Sequence, residues 1–102
     1  MIAYNITIKL LPQIEKEWVA WQRNEHIPEM LASGCFTDYK LYRLLEQDES
    51  DGLTYIIQLF SSSLAQYQAY IDNYAGALRQ KALDKWGNRF IAFRTVMQVV
   101  GE

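Results

Sequence analysis

Trp18-Val-Ala-Trp21-Gln-Arg-Asn-Glu-His26-Ile-Pro28-Glu-Met-Leu-Ala-Ser-Gly34-Cys-Phe36 is the stretch that decides how this chain folds. Trp18 and Trp21 stand three apart, the spacing of one helical face. His26, the chain's only histidine, follows them, and Pro28 then removes a backbone N–H and crowds the carbonyl of Asn24. A kink is therefore expected between Asn24 and Pro28. Gly34 occupies a helix-stop position, and Phe36 opens an extended run.

Working outward toward the N-terminus, Ile2, Tyr4, Ile6, Ile8 and Leu10 alternate with Ala3, Asn5, Thr7 and Lys9. This period of two predicts a strand with one fully apolar face. Pro12 suits a first helical turn. Ile14, Trp18 and Trp21 then predict an amphipathic helix from Pro12 to about Glu25, with a further turn over 28–33.

Toward the C-terminus, 36–46 reads as a second strand. The polar Gln47-Asp-Glu-Ser-Asp-Gly52 reads as a hairpin loop, and 53–60 as a third strand. Ser61, Ser62 and Ser63 offer capping hydroxyls, with Gln66 three residues beyond Ser63. Leu64, Tyr67, Ile71, Tyr74 or Ala75, and Leu78 predict a second helix, running to about Trp86 and stopped by Gly87. Residues 89–100 form the last strand. No repeat or linker divides the chain, so 1–102 is expected to be a single domain.

The order β-α-β-β-α-β is the α+β, ferredoxin-like arrangement, a four-stranded antiparallel sheet with two helices on one face. In a monomer the other face should be polar. Strands two, three and four instead carry apolar residues on both sides, among them Ile56, Phe60, Ile91, Phe93, Met97 and Val99. An uncovered face this apolar predicts a homodimer formed sheet against sheet.

Composition narrows the partners. Of 102 residues, 50% are hydrophobic, and 10 basic against 12 acidic residues give a net charge of -2 with no basic stripe. Nucleic acid is excluded as a partner on that ground. The first ten residues lack a charged leader and a long apolar core, and no run nears the roughly 20 apolar residues a membrane span needs. A cytoplasmic protein without a membrane partner is the expectation. Cys35 is the only cysteine and reads as a small buried hydrophobe.

With this order, the two-sided apolar sheet and the Trp18/Trp21/His26-Ile27-Pro28/Gly34-Phe36 segment, the chain resembles the dimeric α+β barrel superfamily. Within it, the chain is similar to a small uncharacterised bacterial family carried as a domain of unknown function. The resemblance implies two sheets closing a barrel, with a cleft between helices and sheet in each protomer. Relatives of that architecture include antibiotic-biosynthesis monooxygenases, small lactone isomerases, haem-degrading enzymes and stress-responsive proteins, and the fold alone does not select among them. In the haem-degrading branch an asparagine lies on the first strand, the position Asn5 would match. That branch also needs a histidine on the second helix, where this chain has Tyr67, Tyr70 and Tyr74. Haem is set aside, and no cofactor is expected.

Candidate site residues follow. His26 is the natural acid or base, having an unperturbed pKa near neutrality; its alternative role is to cap the kinked helix or pack against a neighbour. A His-x-x-Glu pair with Glu29 supplies only two ligands, so no metal site is expected. Asn5 or a tyrosine hydroxyl is the candidate oxyanion stabiliser. Trp18, Trp21, Tyr67, Tyr70 and Tyr74 either line a ligand pocket or belong to the core. Arg43 and Arg94, inside otherwise apolar strands, sit at a sheet edge, pair with Asp38 or Glu46 across a dimer, or neutralise an anionic ligand. Two functions remain open: a homodimeric module that binds a small molecule or a partner in its helix–sheet cleft, and a cofactor-independent oxygenase or isomerase. The latter would act on a hydrophobic, enolisable small molecule with His26 as acid or base.

Overall fold

The structure, a computed structural model, describes residues 1–101. Strand β1 (Ile2–Leu10) leads through a short 3-10 turn (Pro12–Ile14) into α1 (Glu15–Trp21), a π-helical segment (Gln22–His26) and α2 (Ile27–Ala32). Strands β2 (Asp38–Arg43) and β3 (Leu53–Ser61) follow. The second helical unit comprises α3 (Leu64–Tyr70), a π segment (Ile71–Ala75) and α4 (Gly76–Trp86), before β4 (Phe90–Gln98) completes the sheet. The strand order is β2-β3-β1-β4 and every pairing is antiparallel. This is the ferredoxin-like arrangement, with both helical units packed on one face.

The alternation in β1 places Tyr4, Ile6, Ile8 and Leu10 against the helices. Leu53, Tyr55, Ile57 and Leu59 of β3 face the same way. Trp18 is 1% exposed and its ring lies 5.2 Å from that of Tyr55. Phe36 lies between Tyr4 and Tyr70, with centroids at 6.1 and 4.7 Å. Ser63 caps α3, its hydroxyl accepting from Gln66 N–H at 3.1 Å. At Gly52 a side chain would bring a Cβ within 2.6 Å of Leu10 O, so the β2–β3 loop closes tightly on the end of β1.

Three expectations are corrected. The first helix is not broken at Pro28. Its backbone stays right-handed helical through Trp21, Gln22, His26 and Ile27, and the irregularity is a wide turn in which Ile27 N–H bonds to Gln22 O. Pro28 thus falls in the first turn of α2, where its missing donor matters least. Strand β2 spans Asp38–Arg43 rather than 36–46, although Thr37 N–H and Leu44 N–H still bond to Phe60 O and Thr54 O at 2.8 and 2.9 Å. Glu46, at φ 57, turns the chain away from the sheet.

The outer sheet face is mixed rather than uniformly apolar. Lys40, Gln58, Asn5 and Thr95 are register partners across all four strands, a wholly polar row. On one side of it lie Asp38, Phe60, Ala3 and Met97, and on the other Tyr42, Ile56, Thr7 and Phe93. The exposed apolar area is concentrated on β4, where Ile91 and Phe93 are 54% and 63% exposed. The strand's alternation turned Asn5 and Thr7 outward, a consequence that reading each strand's apolar content alone does not capture.

Candidate functional site

A cavity of about 30 Å³ lies between the sheet and the helices, and its chemistry begins with helix geometry. Trp18, Gln22, His26 and Met30 all line it, although they are spaced by four. In an α-helix each such step drifts by about 40°, so the fourth residue would sit about 120° from the first. The π segment adds one residue to its turn, which removes about 100° of that drift. All four side chains therefore stay on the face that meets the sheet.

The second unit repeats the device. Tyr70, Leu78 and Ala82 line the cavity from opposite sides of its π segment, joined by Arg79. Two π segments flanking one cavity are notable, because such segments are rare and cluster at functional sites.

His26 is 7% exposed. Its ring stacks on Trp21 with centroids 4.4 Å apart and planes 19° apart, and Trp21 in turn meets Trp86 edge-on at 5.8 Å. Nδ1 of His26 is buried without a hydrogen-bond partner. Burial pushes the imidazole pKa down to about 4; Glu29 opposes that shift, while Lys81 and Arg94 add to it. Glu29 does not orient the ring, because its carboxylate is taken by Lys81 Nζ at 2.6 Å. His26 is consequently a neutral, weakly basic ring at neutral pH.

Gln22, 3% exposed, also buries Oε1 without a partner. Buried polar atoms are nearly always hydrogen-bonded; of the unpartnered ones on Asn5, Gln22, His26 and Trp86, two belong to residues that line this one cavity, which makes it the candidate site. Tyr4 and Tyr70 bring phenols to the same wall, and Arg79 Nη2 donates to Tyr4 Oη at 3.0 Å. Burial holds the Tyr70 pKa well above its ordinary value, so this phenol stays protonated. Arg94 reaches the cavity from the helix-facing side of β4.

The sequence candidates are thus partly gathered and partly dispersed. Asn5 does not meet His26. It lies on the outer sheet face between Gln58 and Thr95, and its own Oδ1 is buried and unpartnered there. Of the aromatic candidates Trp18 and Tyr70 line the cavity. Trp21 backs His26, and Tyr67 packs on Tyr4 at 5.2 Å, half-buried. Tyr74, 42% exposed, stacks on Tyr70 at 6.3 Å. Arg43 pairs within its own chain, with Glu49 at 2.9 Å and Glu15 at 3.6 Å, rather than with Asp38 or Glu46.

Gln22, Tyr4 and Arg79 were missed. Gln22 was detectable from its four-residue spacing between Trp18 and His26. Arg79, on a helix rich in polar residues, carries no such signal. Cys35 is buried, and no cluster of three or more potential metal-ligating side chains forms among the described residues. Among these residues no helix is long and apolar enough to cross a membrane.

The fold recurs in solved structures. HapK from Hahella chejuensis is 12% identical, with a TM-score of 0.74 over 100% of this chain and 95% of that one. SnoaB from Streptomyces nogalater, described as a cofactor-independent oxygenase, is 9% identical with a TM-score of 0.68 over 99% and 94%. A dimeric ferredoxin-like protein from an uncultured marine organism is 12% identical with a TM-score of 0.59 over 99% and 97%. At these identities the likeness shows a shared ferredoxin-like α+β fold and nothing of assembly or activity. None of the curated proteins matches the chain. One family model matches residues 1–100, and the chain belongs to that family, Domain of unknown function (DUF4286).

Proposed function

We propose that this protein is a cytoplasmic homodimeric module that binds a hydrophobic small molecule in the cleft between helices and sheet. The observation that carries the reading is that Gln22 and His26, which line one cavity, each bury an acceptor without a partner, Oε1 and Nδ1. A packed core would have filled this space with apolar side chains, since each orphan costs about 1–3 kcal/mol. The enclosed space admits only about two water-sized groups. Beside it runs a groove of about 350 Å³ that shares Arg79, Ala82, Phe90, Ala92 and Arg94 with the cavity. The groove holds a ligand body while the cavity takes one end.

Native mass spectrometry of the protein taken from its host tests this directly. A co-purifying ligand, lost or depleted in His26→Ala, is expected; identical ligand-free spectra for both proteins would overturn the reading.

The dimer is supported by the exposed Ile91, Phe93 and Met97 beside Tyr42 and Ile56 on the outer face. Sedimentation at low micromolar concentration should give about twice 11.9 kDa, reduced to the monomer by Phe93→Lys. A monomer in the unsubstituted protein would refute it.

One observation favours a second reading, a cofactor-independent oxygenase or isomerase for an enolisable substrate. His26 is held neutral and its Nδ1 is unoccupied, as a proton acceptor must be. Asn5 cannot stabilise the developing oxyanion from the far side of the sheet, and Tyr4 or Tyr70 takes that role. Turnover of such a substrate, abolished in His26→Ala while binding persists, would separate the enzyme from the binding module.

A further inference from the structure

Arg79 and Arg94 stand where the enclosed cavity meets the groove, since both side chains line both spaces. No carboxylate among the described residues pairs with them. The ion pairs among the described residues engage Lys9, Arg43 and Lys81, and no residue lining the cavity or the groove is acidic. Arg79 is oriented by its hydrogen bond to Tyr4 Oη. Arg94 interrupts a strand that is otherwise mostly apolar, opposite Ile6. Two guanidinium groups without an acid between them are suited to an oxyanion, which each can grip through parallel N–H donors.

Deeper inside, Gln22 Oε1 can only accept a hydrogen bond, so it calls for a donor. The space there fits a hydroxyl but not a ring or an alkyl chain. On the groove side, Ala82, Leu83, Phe90 and Ile91 offer apolar contact. The order from inside to outside is therefore donor, anion, apolar body.

We propose that the site takes an apolar hydroxycarboxylate. Its carboxylate lies between Arg79 and Arg94, its hydroxyl donates inward to Gln22 Oε1, and its chain runs along the groove. This rests on the binding reading above and narrows it to one ligand class.

Calorimetric titration of the full chain with β-hydroxydecanoate, decanoate and decanol tests the assignment. The hydroxy acid should bind tightest, decanoate about tenfold more weakly, and decanol more weakly again. Arg94→Gln, at an exposed position that spares the core, should lower both acids to the level of decanol. Gln22→Leu should erase the advantage of the hydroxy acid and leave decanoate unchanged. Should Gln22→Leu not fold, the hydroxy acid against decanoate on the unsubstituted chain decides the same point.

Equal binding of the acids and decanol, or indifference to Arg94→Gln, would overturn the anion assignment and leave a binding module standing. Equal binding of the two acids would overturn the hydroxyl contact. Saturable binding of none of the three would overturn this proposal together with the function it rests on.

Discussion

The layer between sheet and helices has two ends that treat their polar groups in opposite ways. Around Tyr55 the polar side chains form a paired chain. Tyr55 Oη donates to Glu15 at 2.6 Å, Glu15 lies 3.6 Å from Arg43, and Arg43 also holds Glu49. Around His26 two acceptors are orphaned, and Arg79 and Arg94 have no carboxylate partner among the described residues. A chain of this size has little stability to spare, so unsatisfied groups at one end and full satisfaction at the other separate a region built to hold the fold from one kept ready for a ligand.

The contrast can be broken hardest at the paired end. Trp18→Ala removes a nearly fully buried indole from against Tyr55 and should cost about 3–5 kcal/mol, seen as a lowered urea midpoint. A loss under 1 kcal/mol would mean that the packing there carries little of the stability.

Acid attacks the unpaired end. The imidazole of His26 is held at about 4 against an ordinary 6.5, with Glu29 opposing and Lys81 and Arg94 reinforcing the shift. The unfolded chain therefore takes up a proton that the folded chain refuses. Stability from this residue is complete above pH 6.5 and is lost as pH falls toward 4, by about 2–4 kcal/mol. Denaturant titrations should show that slope, and the His26→Leu variant should lack it; equal slopes in both proteins would remove His26 from the account.

The smallest effects have opposite signs at the two ends. Tyr55→Phe strips the donor from Glu15 and should destabilise by about 1–2 kcal/mol, whereas Gln22→Leu removes an orphan and should stabilise by about 1 kcal/mol. Thermal unfolding of both variants checks the pair. Destabilisation by Gln22→Leu would show that its amide is satisfied in the folded state and that the two ends do not differ.

The strands were readable because alternation has a period of two that tertiary packing does not alter. Ile2 to Leu10 declared a helix-facing side, and the same alternation already assigned Asn5 to the other side, away from His26. The helices were readable as amphipathic segments but not as interrupted ones. Nothing in Gln22-Arg-Asn-Glu-His26 announces a wide turn except the four-residue spacing of Trp18, Gln22, His26 and Met30, which an unbroken α-helix cannot keep on one face. The site itself was half legible. His26 and Arg94 stood out as isolated residue types in apolar surroundings, whereas Arg79 and Gln22 acquire their meaning only from the cavity they share.

The wide turn over Gln22–His26 has an evolutionary corollary. Deleting one codon within it would turn it into an ordinary α-helical turn without reorienting Gln22 or His26, because the wide turn already absorbs the one residue it carries in excess. The sheet residues and Trp18 would not need to change. In this architecture the wide turn is a tolerated one-residue insertion, and alignments that gap this helix by one position would keep the side chains on either side of it in register with the sheet.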